Sequence, residues 1–164
     1  MVLFLVYKGE VMLPMKLAVQ EAILGTKKAD GGPFGATIVR GDTVIASAHN
    51  TVLKDRDPTC HAEINVIRLA ASSLGGPHLQ GCTIYTTAEP CPMCLSAIYW
   101  ARIDRVIIGV DKSIAAKYGF DDSMFYEQIL KPVDERQVSQ EYGILARECE
   151  EVFVRWQSQE GELY

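Results

Sequence analysis

Positive charge is in short supply in this chain: 164 residues carry 16 Lys and Arg against 21 Asp and Glu, a net charge of −5. Affinity for a nucleic-acid backbone comes from Lys and Arg, so this balance argues against a general phosphate binder, though not against a local one. Long apolar runs are missing too. The longest strongly apolar opening is Met1–Tyr7, and a membrane span needs about 20 residues. A signal peptide wants its basic residue before the apolar stretch, whereas Lys8 comes after. That opening reads as a short strand or an ordered leader, and Met12 and Met15 are alternative starts. An even cysteine set is also absent. The five are Cys60, Cys82, Cys91, Cys94 and Cys149, so complete disulfide pairing is impossible, and a reducing, cytoplasmic setting is expected. No internal repeat, low-complexity tract or long linker is visible.

What is present is ordinary for a globular protein: 48% apolar and 23% charged residues. At roughly 150 residues per domain, one domain spanning 1–164 is expected, with a leader at 1–12 and a C-terminal helix and tail at about 140–164. Apolar positions predict a helix over Leu13–Lys28, ended by Gly31-Gly32. Two short β-branched runs, Ala36–Val39 and Thr43–Ala46, meet at Gly41-Asp42 and predict a hairpin. Cys60–Ser72 reads as a helix with Ile64, Ile67 and Ala71 on one face and Thr59 as its N-cap. Gly75-Gly76-Pro77 breaks it. A strand at Thr83–Thr87 follows, then a helix opened by Pro92 and running to about Arg102. Arg105–Val110 reads as a buried strand, and Ser123–Leu130 and about Gln140–Gln157 as helices. A hairpin followed by strand–helix–strand units implies an α/β fold, three-layer α/β/α with one mixed β-sheet.

Two helix starts carry the chemistry. His61-Ala62-Glu63 opens one, and Pro90-Cys91-Pro92-Met93-Cys94 opens the next. Imidazole nitrogen and thiolate sulfur are zinc ligands, and three protein ligands leave a fourth position for water, the catalytic arrangement. One zinc per subunit, with a bound water or hydroxide, is therefore expected on His61, Cys91 and Cys94, with Glu63 as proton shuttle. H-x-E followed by P-C-x-x-C is the signature of zinc deaminases. One tension stands: residues two apart on a regular helix point to nearly opposite sides, so His61 and Glu63 share a site only if the metal lies beyond the helix end. A C-x-x-C alone is more often structural or redox. A structural zinc would need a fourth ligand, for which Cys60, Cys82, Cys149, His49 and His78 are available.

On these residues the chain resembles the cytidine deaminase-like superfamily of zinc nucleobase deaminases. Within it, the chain resembles the bacterial guanine deaminases. The likeness runs through Gly31-Gly32-Pro33-Phe34-Gly35-Ala36, Asp57–Glu63, Glu89–Cys94, Ala97–Arg102, Gly119–Ser123 and the terminal Tyr164. The resemblance implies hydrolysis of guanine to xanthine and ammonia. It implies that Asn50 hydrogen-bonds the purine, with turn chemistry as the plainer role. Phe34 is implied as a stacking wall, and Trp100 as a pocket wall or a core filler. Asp122 is implied to accept from the base's N–H groups, with a helix N-cap as its plainer role, and Asp121 is the weaker twin. It also implies a homodimer with an exchanged C-terminal segment whose Tyr164 covers the partner's pocket; a frayed polar tail is the alternative. Guanosine, another aminopurine and a tRNA adenosine are alternative substrates, and a zinc-stabilised interaction module is the non-enzyme reading. Against tRNA, Glu148, Glu150, Glu151, Glu160 and Glu162 face only Arg155 between residues 148 and 164.

Overall fold

The computed structural model describes residues 2–164, with side chains from residue 12 onward; most of the expected leader, 1–12, therefore lies outside the described side chains. Two compact units emerge, Met1–Asp122 and Ser123–Tyr164. Helix α1 spans Val2–Lys27, so it begins well before the expected Leu13, and Pro14 within it gives up one rung of helix hydrogen bonding.

Strands β1 (Gly35–Arg40), β2 (Thr43–His49), β3 (Cys82–Ala88) and β4 (Arg105–Val110) form one sheet in the order β2-β1-β3-β4. β1 runs antiparallel to both β2 and β3, whereas β3 and β4 are parallel, which makes the sheet mixed as expected. Alternation along β1 sorts the layers. Ala36 and Ile38 point into the core shared with Ala62, Val66, Ala70 and Ile98 of α3 (Ala62–Leu74) and α4 (Pro92–Trp100). Gly35 points the other way, where a methyl would strike the α1 backbone at Ala18 and Ala22. Helices thus cover both faces, and only glycine lets α1 come this close to β1.

Several expectations shift. The stripe α3 buries is Ala62, Val66 and Ala70, with Ile67 and Ala71 at its flank and Ile64 only half-buried. Thr59 is not its N-cap. Its N–H and hydroxyl both donate to Asp57 Oδ1 at 2.7 Å, and His61 takes the cap position in extended conformation. β4 is an edge strand paired only with β3, so Ile108 and Val110 are exposed where a buried strand was expected. Two short helices were not anticipated: α2 (Val52–Asp55) and α5 (Lys112–Lys117), the latter capped by Asp111, which accepts from Ser113 N and Ile114 N.

The second unit comprises α6 (Ser123–Leu130), a 3-10 turn at Val133–Glu135 and α7 (Ala146–Ser158). α6 has its expected bounds. α7 starts later than Gln140 because Gly143 and Leu145 adopt left-handed backbone conformations, at φ 85° and 50°. After α7 the chain folds back over the Trp156 indole. Gly161 N donates to Trp156 O at 3.1 Å, and a side chain at Gly161 would overlap the ring. Among the described residues no helix is long and apolar enough to cross a membrane.

Candidate metal centre and purine pocket

The backbone at the two helix starts resolves the His61–Glu63 tension. His61 (φ −68°, ψ 157°) and Cys91 (φ −65°, ψ 168°) are both extended N-cap residues, outside the helices they precede. His61 and Glu63 are therefore not related by a helical turn, and both can face one point beyond the helix end. The His61 side chain does not cap its own helix, which leaves the imidazole free to turn to the Cys91 and Cys94 thiols.

His61 Nδ1 lies 3.7 Å from Cys91 Sγ and 3.5 Å from Cys94 Sγ. Zn–S bonds of about 2.3 Å and Zn–N bonds of about 2.0–2.1 Å at tetrahedral angles place N and S about 3.5–3.6 Å apart. The trio therefore fits a zinc ion in both donor type and spacing. It is the only convergent group of three or more His, Cys, Asp or Glu among the described residues. Among the described residues no fourth protein ligand joins it. His49 has both ring nitrogens on other carboxylates. Cys60 sits by the Arg68 guanidinium at 3.6 Å, Cys82 is buried in the core, and Cys149 lies by the Ile144 carbonyl. His78 is outside the group, its Nε2 buried without a hydrogen-bond partner among the described residues. An open fourth position favours a catalytic over a structural centre.

The electrostatics are set by proximity. The Cys94 thiol donates to Cys91 and holds its pKa down to about 4, with His61 assisting. The same bond, together with burial, pushes Cys94 up. The Cys91 partner raises His61 in spite of burial. Such charge-linked protons are what a cation displaces when thiolates bind it. Glu63 is buried, and desolvation raises its pKa, with the neighbouring Cys91 charge adding to the rise. A buried carboxyl that readily holds a proton beside a metal triad is equipped for general acid–base work.

Asn50, immediately after β2, is buried. Its Oδ1 accepts from Gly32 N at 3.2 Å and Val52 N at 3.1 Å. Two backbone donors fix that atom as the oxygen and occupy it, so the carboxamide can offer only its NH₂ to a ligand rather than donor and acceptor together. Its backbone N donates to Phe34 O at 3.0 Å. Phe34 is half-buried, held edge-on against Phe120 with centroids 4.9 Å apart and planes at 85°. Asp122 is half-buried, and desolvation raises its pKa, with the Cys91 charge contributing; the two acidic groups therefore lie within electrostatic reach. Asp121 is exposed. Trp100 is 68% exposed at the far end of α4 from Cys91, so it is not a core filler. Tyr164 is exposed within the second unit.

One constellation gave no signal in sequence. Glu21 of α1 and Asp30 of the α1–β1 loop bracket the imidazole of His49, one residue before Asn50. These side chains are 28 and 19 residues from His49, with no spacing to betray them.

Comparison with known proteins agrees with the geometry. Residues 11–110 match the cytidine and deoxycytidylate deaminase zinc-binding region. The chain is 48% identical over 124 residues to a guanine deaminase of Bacillus subtilis, covering 76% of this chain and 80% of that protein. It is 39% identical over 111 residues to a tRNA-specific adenosine deaminase of Aquifex aeolicus, covering 68% of this chain and 71% of that one. Among solved structures, B. subtilis guanine deaminase superposes with a TM-score of 0.84 at 43% identity, over 88% of this chain and 92% of that one. A guanine deaminase from Nitrosomonas europaea matches with a TM-score of 0.63 at 28% identity, over 66% and 63%.

Proposed function

The chain belongs to the cytidine and deoxycytidylate deaminase zinc-binding family, and from that premise we propose that it hydrolyses guanine to xanthine and ammonia. The observation that carries this reading is buried Glu63 beside the convergent His61, Cys91 and Cys94, in a chain 48% identical to a guanine deaminase. When bound, zinc supplies a Lewis acid able to bring the pKa of water to about 7. Glu63 accepts the proton released as water adds at C2 of the purine, delivers it to a ring nitrogen, and assists the departure of ammonia. Asn50 donates its NH₂ to an acceptor on the base. Asp122 accepts from the base's N–H groups, with Asp121 in the weaker role beside it. Phe34, braced by Phe120, offers a wall against which the ring stacks.

A homodimer completes the reading. α6 and α7 bury no residue of their own, and Val152, Phe153 and Leu163 are exposed. Apolar surface of this kind marks interfaces. The C-terminal segment is exchanged between subunits, and Tyr164 covers the partner's pocket; an exchanged element is a low-cost route to a symmetric dimer.

Ammonia release and zinc content on a panel of guanine, guanosine, adenine and a tRNA anticodon stem-loop test the substrate. Turnover of guanine with one zinc per chain is expected. Preference for the nucleoside or the RNA overturns the guanine assignment, and full zinc without turnover on any of them favours an interaction module.

A further inference from the structure

Outside the metal centre, His49 lies between two carboxylates. Nδ1 of the ring is 2.7 Å from Glu21 Oε2, and Nε2 is 3.0 Å from Asp30 Oδ2. The side chains of His49 and Asp30 are each only 12% exposed. Each ring nitrogen thus faces a carboxylate oxygen at hydrogen-bond distance, which fixes the ring from both edges. The carboxylates lie at opposite edges of the ring, so the three residues do not converge on a point and cannot hold a metal ion together.

Three chain segments are tied through this ring. Glu21 belongs to α1, Asp30 to the loop before β1, and His49 to the last residue of β2. Asp30 also carries α2: its carbonyl accepts from Leu53 N at 3.0 Å and Lys54 N at 2.9 Å, and its N–H donates to Gly25 O. From the other side, Asn65 of α3 donates to the His49 carbonyl at 3.0 Å. The residue enclosed by these ties is Asn50. Its oxygen is pinned by one N–H from the loop, Gly32, and one from α2, Val52. Space is tight as well as polar. A methyl at Gly25 would press on the His49 ring at 2.5 Å from Cδ2, and one at Gly31 would overlap the Asn50 carboxamide oxygen.

We propose that Glu21, His49 and Asp30 are positioning residues for substrate: a hydrogen-bonded clamp that holds the α1–β1 loop and α2 at the separation needed to aim the Asn50 NH₂ into the purine pocket. The clamp rests on the assignment of Asn50 as a purine contact. It touches neither the metal ligands nor Glu63, so it governs how well the base is held rather than the proton transfers. Loss of an interaction made equally in ground and transition states raises KM and spares kcat.

The test uses the full-length, zinc-loaded protein and the variants His49→Gln, Glu21→Leu, Glu21→Gln and Gly25→Ala. With guanine, KM for His49→Gln and Glu21→Leu should rise about 10- to 10²-fold, the cost of a small misplacement. Their kcat should stay within about threefold, and zinc content should remain full. Glu21→Gln keeps a carbonyl acceptor for the ring and should show a smaller rise than Glu21→Leu. Gly25→Ala, which displaces the ring without removing a charge, should raise KM like His49→Gln. In parallel, the side-chain NH₂ resonances of Asn50 in ¹⁵N spectra should shift or broaden in His49→Gln and Glu21→Leu without any substrate present. An unchanged KM with a lowered melting temperature would make the cluster a structural brace and overturn the proposal. Unshifted Asn50 resonances would do the same. Wild type that is inactive on guanine overturns the substrate assignment instead, and the Asn50 resonances then decide the clamp by themselves.

Discussion

Gly31 lies so close to Asn50 that a side chain there would overlap the Asn50 carboxamide oxygen and crowd its backbone carbonyl. The glycine is thus required for room and not for an unusual backbone angle. Gly31→Ala should push Asn50 out of line with the purine pocket. Steady-state kinetics should show a raised KM for guanine, zinc content should be unaltered, and stability should fall by about 1–3 kcal/mol, the usual cost of overpacking. Wild-type KM in this variant would mean that the carboxamide does not contact the base.

Glu63→Gln separates proton transfer from metal binding. Glutamine preserves shape and hydrogen bonding but cannot carry a proton through the cycle. Turnover should drop by about 10²–10⁴-fold or more, because one carboxyl serves several steps, while metal analysis returns full zinc. Wild-type rates on guanine in the zinc-replete variant would remove Glu63 from the mechanism.

Cys91→Ala and Cys94→Ala should each lose metal and activity together, since every ligand of a three-ligand site is needed to hold the ion. Cys149→Ala, outside the convergent group, should keep its zinc. A redox dithiol would give the opposite pattern, with metal content indifferent to all three changes.

The turn that delivers His61 to the site carries its own pH signature. Asp57 accepts from Thr59 through both its side chain and its backbone, which lowers the Asp57 carboxyl below its ordinary value near 3.8. A lowered folded-state pKa contributes stability that is fully present above the unfolded value and is lost as pH falls through the folded one. Thermal unfolding across pH should show wild type ahead of Asp57→Asn by a constant margin from neutrality down to about pH 5, with the margin closing below about pH 4. A margin that is independent of pH in the acid range would show that charge at Asp57 plays no part.

The metal triad was legible because zinc chemistry writes itself into short spacings: a histidine two residues before a glutamate, and two cysteines three apart. What that pattern leaves open is backbone conformation. Whether His61 and Glu63 can share a site depends on His61 being extended and outside α3, and Thr59 drew attention as a cap because threonine favours that position, yet Asp57 takes both its donors. β4 reads as buried because Val106, Ile107 and Ile108 are β-branched; its exposure follows from lying at the sheet edge, a fact of topology. The Glu21–His49–Asp30 cluster is harder still, since three unremarkable polar residues become a unit only when a helix, a loop and a strand end meet.

The tail offers the sharpest test of the dimer. Tyr164 ends a segment whose α7 buries nothing of its own, and Gly161 lets that segment fold over Trp156. If Tyr164 closes a neighbouring subunit's pocket, deleting Leu163 and Tyr164 should lower guanine turnover while zinc stays full, because water exclusion suffers and the ligands do not. A subunit that lacks the tail but retains Glu63 should then be rescued by a partner that carries the tail and the Glu63→Gln change. Neither homodimer turns over well in that design, so activity in the mixture reports exchange between chains. Purified mixed dimers, isolated through two different affinity tags, should recover up to about half of wild-type activity, since one of two pockets is complete. An inactive mixed dimer, or a monomer by sedimentation at the assay concentration, would show that the tail serves its own subunit or none.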